Sequence, residues 1–592
     1  MIESTILKTI SSAFSSLFQA SVPADTLALQ STRKEFAGTY TFVLFPFLKL
    51  TGKNPEESGQ LIGRFVQEHL QEVRGFNIVK GFLNFEIADS YWLAALQQMR
   101  STQAFGTYPT NGQKVMVEFS SPNTNKPLHL GHLRNNFLGD SLARILVASG
   151  YEVHRVNLVN DRGIHICKSM IAYQLFGAGE TPDTTGVKGD KFVGNYYVRF
   201  DQEYKKEIAA LVASGTDEET AKKEAPIMLA AQQMLKKWED GDASIMSLWK
   251  QMNAWVYAGF HTSYATMGVS FDQVFYESET YLLGKDIIEE GLSKGIFYKK
   301  ADGSVWVDLT ADGLDEKLVL RGDGTSVYIT QDMGTCELKY SNFSFNKSVY
   351  VVGNEQDYHF KVLFHIMRKL GRPYADGLYH LSYGMVDLPS GKMKSREGTV
   401  VDADDLMQEM FDTAETHTRE LGKIEGMEDA EARELYRVLG LGALKYFLLK
   451  VDPKKRMLFD PVLSIEFQGD TGPFIQYTHA RISAILRRAS TLEISADVEA
   501  DLTLHPREAE LIYRLSSYPD TVKVAAEAYS PAVVAQYIYE VAKDYNGFYQ
   551  EVPIFNEENK SLVRTRIALS AVTAGVIKSG MKLLGIEVPE RM

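Results

Sequence analysis

Apolar side chains alternate with others from Lys114 to Phe119, which predicts a buried strand. A polar turn with two prolines follows, and the segment His129–His132 then begins a run with apolar residues at helical spacing. The apolar stripe of this predicted helix contains Leu133, Phe137, Leu138, Leu142, Ile145 and Leu146. After Gly150, the run YEVHRVNLVND predicts a second strand, and a further helix is predicted from Ile164 to Phe176. This order predicts a βαβ unit, in which ligands bind at the carboxyl ends of the strands.

The rest of the chain divides into regions with different patterns. Residues 1–110 show helical periodicity from Ile2 to Phe18 and then the alternating runs TYTFVLF and GFLNFEI, which predict an α+β module. Residues 180–265 are charged and helical, and we interpret them as an insertion between two halves of one sheet. The second half resumes near Phe271, with predicted strands in SVWVDL, SVYIT and SVYVVG. Periodic leucine, alanine and tyrosine near the end of the chain predict a helical bundle.

Length, cysteine content and charge narrow the class of protein. A chain of 592 residues is too long for one core and predicts about three to five domains. The most apolar run, TFVLFPFLKL, is short and contains Pro46, so we expect no membrane association. Cys167 and Cys336 are too few for a disulfide framework or a zinc site, which is typical of a reducing cytoplasm. A net charge of −13 argues against indiscriminate polyanion binding, but local basic patches still allow RNA binding.

The turn and the start of the central helix carry groups that suit a phosphate ligand. Gly131 allows a ligand close to the backbone, and the first N–H groups of the helix face anions. His129 and His132 add donors, while Lys126 adds a full positive charge. Two histidines at this spacing are structural residues or a chance pair about as often as they are functional. The lysine-rich segment SGKMKSREG at 390–398 favours the functional interpretation.

A second group of polar residues occurs in the later half of the predicted sheet. Tyr328 and Asp332 lie four residues apart in TSVYITQDMG, at the expected end of a strand, and Gln356 follows the next strand. A phenol and a carboxylate suit a guanidinium, whose five donors lie in one plane. Two structural roles compete with this hypothesis, since Asp332 could be a helix N-cap and Tyr328 a half-buried strand aromatic.

Two motifs in this chain resemble those of class I aminoacyl-tRNA synthetases. The HIGH motif of that class corresponds to HLGH at 129–132, and the KMSKS motif corresponds loosely to KMKSR at 392–396. The chain is most similar to the arginyl-tRNA synthetase family, which has a strand Glu, an SPN turn and a lysine before its first motif. The matching residues are Glu118, Ser121–Asn123 and Lys126, together with Tyr328, Asp332 and Gln356.

The resemblance implies a role for each matching residue. The expected catalytic residues are Lys126, His129, His132, Lys392 and Lys394. The expected ATP-binding residues are Pro122, Asn123, His129, Gly131, His132 and Lys392. Glu118, Tyr328 and Asp332 would bind the arginine guanidinium, and Asn123 and Gln356 would bind its α-amino and carboxylate end. The implied substrates are L-arginine, ATP with Mg²⁺, and tRNA(Arg), with no structural metal in the protein. We expect a cytoplasmic monomer.

The resemblance also implies how the domains are arranged and used. The expected fold is α/β, with a Rossmann-like parallel-sheet catalytic domain at 111–400 that contains the helical insertion at 180–265. Residues 1–110 would form an α+β domain that contacts the tRNA elbow, and residues 401–468 a connecting helical region. GPFIQYTHARI and the closing LLGIEVPERM resemble the family's all-α anticodon-binding domain, which we expect at 469–592. Arginine activation would require bound tRNA.

One departure from the family pattern leaves the lysine roles open. The second lysine of KMSKS is expected where Ser395 stands, and Lys394 precedes it. Lys126, Lys392 and Lys394 therefore remain alternatives for each phosphate contact.

Other functions are alternatives to the joining of arginine to tRNA. A small nucleotidyltransferase would lack the two outer domains, and a synthetase for an apolar amino acid would have no use for Asp332. A non-catalytic tRNA-binding paralogue would not need both histidines.

Overall fold

The computed structural model describes residues 2–33, 35–387, 389, 401–422 and 426–592. In these ranges no helix combines the length and the apolar character that a membrane crossing requires. The elements of the N-terminal region are α1 (Ile2–Phe18), β1 (Leu29–Ser31), β2 (Tyr40–Val43), α2 (Leu48–Thr51), α3 (Pro55–His69), β3 (Val73–Val79), β4 (Phe82–Ile87) and α4 (Asp89–Ser101).

The first half of the catalytic region alternates strands and helices and then becomes helical. Its elements are β5 (Lys114–Glu118), α5 (Leu130–Ala148), β6 (Glu152–Val159), α6 (Ile164–Phe176), α7 (Pro182–Thr185), α8 (Gly189–Ala213), α9 (Glu218–Glu224), α10 (Pro226–Glu239) and α11 (Ala243–Met267). The predicted bounds of α6 are confirmed to the residue, and the region predicted to be a helical insertion is helical.

The second half adds further strands and the helices between them. Its elements are β7 (Gln273–Tyr276), α12 (Glu277–Thr280), α13 (Lys285–Ser293), β8 (Phe297–Lys299), β9 (Val305–Val307), β10 (Lys317–Leu320), α14 (Tyr328–Phe343), β11 (Lys347–Gly353), α15 (Asp357–Lys369), β12 (Leu378–Tyr383) and β13 (Val386–Asp387). The remaining elements are α16 (Ala403–Glu420), α17 (Asp429–Leu449), β14 (Met457–Leu458), α18 (Pro461–Ser464), α19 (Gly472–Thr491), α20 (Pro506–Ser516), α21 (Tyr518–Glu527), α22 (Pro531–Glu551) and α23 (Lys560–Leu583).

A parallel sheet with β5 at its centre organises the catalytic region. The strand order is β12-β11-β5-β6-β7, and every neighbouring pair is parallel. Helix α5 packs against β5, β6 and β11 on one side and against α16 and α17 on the other. Almost all of its side chains are therefore buried, including the polar Arg134, Asn135 and Asp140. The sheet predicts that ligands bind where β5, β6 and β11 end.

The strand predicted in SVYIT is wrong, because Tyr328 begins helix α14. Threonine, valine and isoleucine favour strands locally, but Ile329, Met333 and Cys336 recur at helical spacing and are buried in the core beside the sheet. Burial of this apolar face overrides the local preference. The strand predicted in SVWVDL is present as β9, but it belongs to a separate antiparallel sheet with the order β10-β9-β8.

The chain folds into two compact units. One contains residues 1–105, 482–518 and 543–576, and the other contains residues 106–481, 519–542 and 577–592. Within the first unit, β1 to β4 form an antiparallel sheet and α4 packs against α20. The Tyr513 ring of α20 lies 5.6 Å from the Tyr40 ring and 5.8 Å from the Trp92 ring, measured between centroids. The domain boundaries drawn from the sequence at 110, 400 and 468 stay predictions.

Candidate active site

The turn after β5 has two adjacent residues in the left-handed backbone region. Ser120 has φ 79° and Ser121 has φ 44°, which is uncommon for residues other than glycine. Both backbone N–H groups donate to side-chain amides, Ser120 N to Asn135 Oδ1 over 2.5 Å and Ser121 N to Asn157 Oδ1 over 3.0 Å. The amide acceptors stabilise a strained turn of the kind that is concentrated at functional sites.

The residues after this turn join the ends of β5 and β6. Asn123 pairs with Asn160 as a parallel bridge, with Thr124 N donating to Asn160 O over 3.0 Å and Asn160 N donating to Pro122 O over 2.9 Å. Pro122 is buried, and Asn123 is half-buried. These backbone bonds place the predicted nucleotide-binding residues at the carboxyl edge of the sheet.

The two histidines of HLGH cap the start of α5. His129 Nδ1 accepts from Gly131 N over 3.1 Å, and His132 Nδ1 accepts from His129 N over 3.1 Å. A neutral ring whose Nδ1 accepts a hydrogen bond has its proton on Nε2, so each histidine has an Nε2–H donor. A Cβ at Gly131 would lie 3.0 Å from the His129 ring, so a larger residue here would press on that ring.

The surroundings keep both histidines neutral. Burial, together with the positive charge of Lys126, lowers the pKa of His129 to about 3. Burial also lowers the pKa of His132 well below its ordinary value, and His129 and Lys126 act in the same direction. Lys126 is therefore close to both rings, as the sequence analysis expected. Neutral imidazoles can donate to phosphate oxygens over the whole physiological pH range.

Residues of α5, together with Leu128 just before it, form hydrogen bonds with residues that flank the lysine-rich segment at 390–398. Arg134 is fully buried and donates to the backbone carbonyls of Gly384, Pro453 and Lys455 over 2.7, 3.1 and 3.0 Å. On the other side, Leu130 N donates to Val401 O, and Ala403 N donates to Leu128 O. The predicted site residues Lys392 and Lys394 lie outside the described residues. Their flanks are nevertheless attached to the segment that carries the histidines.

A cavity of about 460 Å³ lies beside α14, at the carboxyl ends of β5 and β11. Helix α14 lines it with one face, on which residues recur at helical spacing. These residues are Tyr328, Asp332, Thr335, Cys336 and Lys339. The remaining lining residues are Glu118, Ser121, Leu158, Asn160, Tyr350, Val352, Gln356, His359, Phe360 and Leu363. The structure thus brings together four of the five predicted arginine-binding residues.

One ion pair and one hydrogen-bonded pair of side chains lie in this cavity. The Lys339 ammonium donates to Glu118 Oε2 in a buried pair, in which the side chains are 2% and 7% exposed. At the other end of the same helix face, Asp332 Oδ2 lies 2.6 Å from His359 Nε2. Neither Lys339 nor His359 was predicted from the sequence. Lys339 follows Tyr328 and Asp332 on one face of α14, but that relation is visible only if the segment is assigned as a helix.

Asn135 connects the cavity with the histidine segment. Its side-chain amide donates to Val351 O over 2.8 Å, while its oxygen accepts from Ser120 N. Asn123, the fifth predicted arginine-binding residue, does not line the cavity. Ser121, two residues before it, and Asn160, with which it forms the parallel bridge, both line the cavity. The cavity therefore lies next to the turn that leads from β5 to the histidines.

Tyr328 is 77% exposed at the start of α14, so it is not a half-buried strand aromatic. Asp332 lies inside α14 and is not its N-cap.

Comparisons with known proteins show the family to which the chain belongs. A family model described as tRNA synthetases class I (R), catalytic domain, matches residues 95–460, and one described as the DALR anticodon binding domain matches residues 475–592. The chain is 58% identical over 594 residues to an arginine–tRNA ligase of Amoebophilus asiaticus, covering 100% of both chains. The chain belongs to the arginine–tRNA ligase family. Like other arginine–tRNA ligases, it activates arginine with ATP and transfers it to tRNA.

Other members of the arginine–tRNA ligase family show similar agreement over the full length. The ligase of Bacteroides thetaiotaomicron is 52% identical over 595 residues, with 100% of both chains covered. Among solved structures, the arginyl-tRNA synthetase of Thermus thermophilus superimposes with a TM-score of 0.78 at 24% identity, covering 100% of both chains. That of Plasmodium falciparum has a TM-score of 0.76 at 19% identity, covering 100% of this chain and 99% of its own. These two likenesses support the fold, and the sequence relatives support the family.

Proposed function

We propose that the cavity beside α14 binds the arginine side chain during arginine activation. Its lining combines two carboxylates, Glu118 and Asp332, with the Tyr328 phenol at its exposed end. A guanidinium has five donors in one plane, which can reach carboxylate oxygens on opposite walls. The convergence of these three side chains on one cavity at the carboxyl edge of the sheet is the observation that carries the proposal.

The α-amino and carboxylate end of arginine would lie toward the turn that follows β5. Gln356 is exposed at the start of the segment after β11, and Asn123 lies beside the lining residue Asn160. Their amides supply both donors and acceptors, which a zwitterionic group needs. In this orientation the substrate carboxylate faces the segment from Pro122 to His132, where we place ATP.

The histidine segment would bind ATP and stabilise charge during the transfer. The arginine carboxylate attacks the α-phosphorus of ATP, the bond to the bridging oxygen breaks, and pyrophosphate leaves. Pro122, Asn123 and Gly131 would contact the nucleotide through the turn and the helix start, and the Nε2–H groups of His129 and His132 would donate to phosphate oxygens. Lys126, Lys392 and Lys394 would neutralise the charge that spreads over the leaving group. Mg²⁺ would enter with ATP as part of the substrate.

The outer regions would bind tRNA. We propose that residues 1–110 contact the tRNA elbow and that residues 469–592 bind the anticodon, with residues 401–468 connecting the catalytic domain at 111–400 to the latter. The match of 475–592 to an anticodon-binding family supports the second assignment. We further propose that the enzyme acts as a monomer in the cytoplasm and that bound tRNA is needed for arginine activation.

Steady-state pyrophosphate exchange in the presence of tRNA tests the arginine site. Asp332→Asn and Tyr328→Phe should raise the KM for arginine and leave the KM for ATP within about threefold of its original value. An unchanged KM for arginine in Asp332→Asn would show that the guanidinium binds elsewhere.

A further inference from the structure

Lys339 is a buried cation inside a cavity that we propose for a cationic substrate. Only 2% of its side chain is exposed, and its ammonium lies 5.2 Å from the centroid of the Tyr350 ring and 5.9 Å from that of Phe275. Removing an ammonium from water is costly unless it gains a charged partner. Its partner is Glu118, which is also assigned to the substrate guanidinium, so the protein's own lysine and the substrate share one carboxylate.

The pair divides the two oxygens of Glu118 between the protein and the cavity. Among the described residues, Lys339 is the hydrogen-bond partner of Glu118 Oε2, and no partner is seen for Oε1. Glu118 is itself 5% exposed, and it lines the cavity. It therefore offers a substrate one oxygen in a fixed direction instead of a freely rotating carboxylate.

Lys339 also sets the charge that a substrate meets. The charged groups that line the cavity are Glu118, Asp332 and Lys339, with His359 hydrogen-bonded to Asp332. The carboxylates of Glu118 and Asp332 and the ammonium of Lys339 sum to one negative charge, which one guanidinium balances. Without Lys339 the lining would have two negative charges and would suit a more concentrated cation.

The position of Lys339 on α14 distinguishes a guanidinium from an ammonium. Tyr328 and Lys339 are eleven residues apart on one face of the helix, a separation of about 16 Å at 1.5 Å per residue. The exposed end of the cavity therefore has the phenol, and its buried end has the ammonium. A substrate lysine would bring a compact ammonium toward a carboxylate that already binds one, with like-charge repulsion. The longer, planar guanidinium spreads its charge and can donate to Oε1 and Asp332 at once.

We infer that Lys339 is a specificity-determining positioning residue, which orients Glu118 for the guanidinium and excludes lysine from the same site. The inference rests on the proposed arginine site. Lys339 does not take part in bond making; it acts on the substrate through Glu118. Its removal should therefore change the choice between two cationic amino acids more than it changes the use of ATP.

The test compares arginine with L-lysine as a competitor in tRNA-dependent pyrophosphate exchange. The measured quantity is the inhibition constant of lysine divided by the KM of arginine. Lys339→Met should lower this ratio by at least about tenfold, and Lys339→Arg, which retains the cation, should keep it within about threefold. Lys445→Met is the matched control, because Lys445 is a buried lysine that donates to Gly585 O and does not line the cavity. It should leave the ratio unchanged even if it lowers stability.

A double variant keeps the inference testable if Lys339→Met does not fold. Glu118→Gln with Lys339→Met removes both charges together and leaves neither buried without a partner. If Lys339 acts through Glu118, this double variant and Glu118→Gln alone should have ratios within about threefold of each other. A further tenfold change on the Glu118→Gln background would overturn the inference, as would an unchanged ratio in folded Lys339→Met.

Asp332→Asn, measured in the same series, separates this inference from the proposed function. If Asp332→Asn leaves arginine affinity unchanged, the cavity is not the arginine site and both proposals fail. If Asp332→Asn weakens arginine binding but Lys339→Met leaves the ratio unchanged, the site is correct and only the role of Lys339 is wrong.

Discussion

Asp332 Oδ2 lies 2.6 Å from His359 Nε2, so one carboxylate oxygen of Asp332 has a partner before any substrate enters. The two residues come from different elements, Asp332 from α14 and His359 from α15. The contact restricts the rotation of the carboxylate and leaves its other oxygen for the cavity. A prepositioned acceptor lowers the entropy lost when a guanidinium is bound.

Asp332→Asn should therefore weaken arginine binding strongly. Hydrogen bonds to charged groups contribute about 2–3 kcal/mol, so we expect the KM for arginine to rise roughly 30- to 150-fold in pyrophosphate exchange with tRNA present. Asp376→Asn is the control, because the Asp376 side chain is 95% exposed and pairs with Arg368 at the surface. An equal rise in both variants would contradict the assignment.

The histidines can be tested atom by atom, because Asn and Gln each replace one ring nitrogen. His132→Asn keeps an acceptor near the position of Nδ1, which caps His129 N, but it loses the Nε2–H donor. His132→Gln keeps a donor near Nε2. If the donor stabilises the transition state by about 2–4 kcal/mol, the Asn variant should form adenylate roughly 30- to 1000-fold more slowly, and the Gln variant should lose less. Greater activity in the Asn variant would be incompatible with the proposed donor role.

The lowered pKa of His129 predicts how stability depends on pH. The folded histidine, with a pKa of about 3, stays neutral in mild acid, whereas the unfolded one, with a pKa near 6.5, binds a proton. The unfolded chain then binds more protons, so this contribution to stability is complete above the unfolded pKa and decreases as pH falls below it. Between about pH 7.5 and 5.5 the thermal midpoint should fall less in His129→Asn than in the original protein. Equal or larger falls in the variant would argue against a buried neutral His129.

Arg134 should affect adenylate formation without contacting either substrate. Arg134→Met would remove the side-chain donor to Gly384 O and Lys455 O and one of the two donors to Pro453 O, which still accepts from Gly384 N. Leaving the buried Gly384 carbonyl without this donor should cost about 1–3 kcal/mol. We expect a lower thermal midpoint and a lower kcat for exchange, with the KM for arginine within about threefold. Arg144→Met is the matched control on the same helix, because Arg144 pairs with Asp140 and lies away from those carbonyls. A kcat that falls only in the control would refute the anchoring role.

Of the three lysines proposed for phosphate binding, Lys126 is among the described residues, whereas Lys392 and Lys394 lie outside them. Lys126 lowers the pKa of both histidines, so its charge lies next to the proposed phosphate site. Lys126→Ala should therefore slow adenylate formation more than Lys394→Ala, as measured by the rate of pyrophosphate exchange. Equal effects of the two variants would refute this order.

The sequence predicted the helices and strands in which apolar residues follow a clear pattern. It did not predict contacts between residues that are far apart in the chain. The bounds of α1 could be read locally because its buried residues recur at helical spacing. The strand β5 and helix α6 could be read as mostly apolar runs, which the structure buries on more than one face. The strand predicted at the start of α14 was wrong because the β-branched residues there favour a strand. With the segment assigned as a strand, the position of Lys339 on the same helix face as Tyr328 and Asp332 could not be seen. The carbonyl partners of Arg134 lie 250 to 321 positions away, a distance over which no local pattern carries information.

Acidic and phenolic oxygens beside α14 should bind the arginine guanidinium. A crystal structure of the enzyme with L-arginine bound tests it most directly. We predict guanidinium nitrogens within hydrogen-bonding distance of Asp332 and of Glu118 Oε1, with the Tyr328 side chain next to them and the Lys339 pair intact. Arginine bound outside this cavity, or inside it with the guanidinium away from Asp332, would contradict the account.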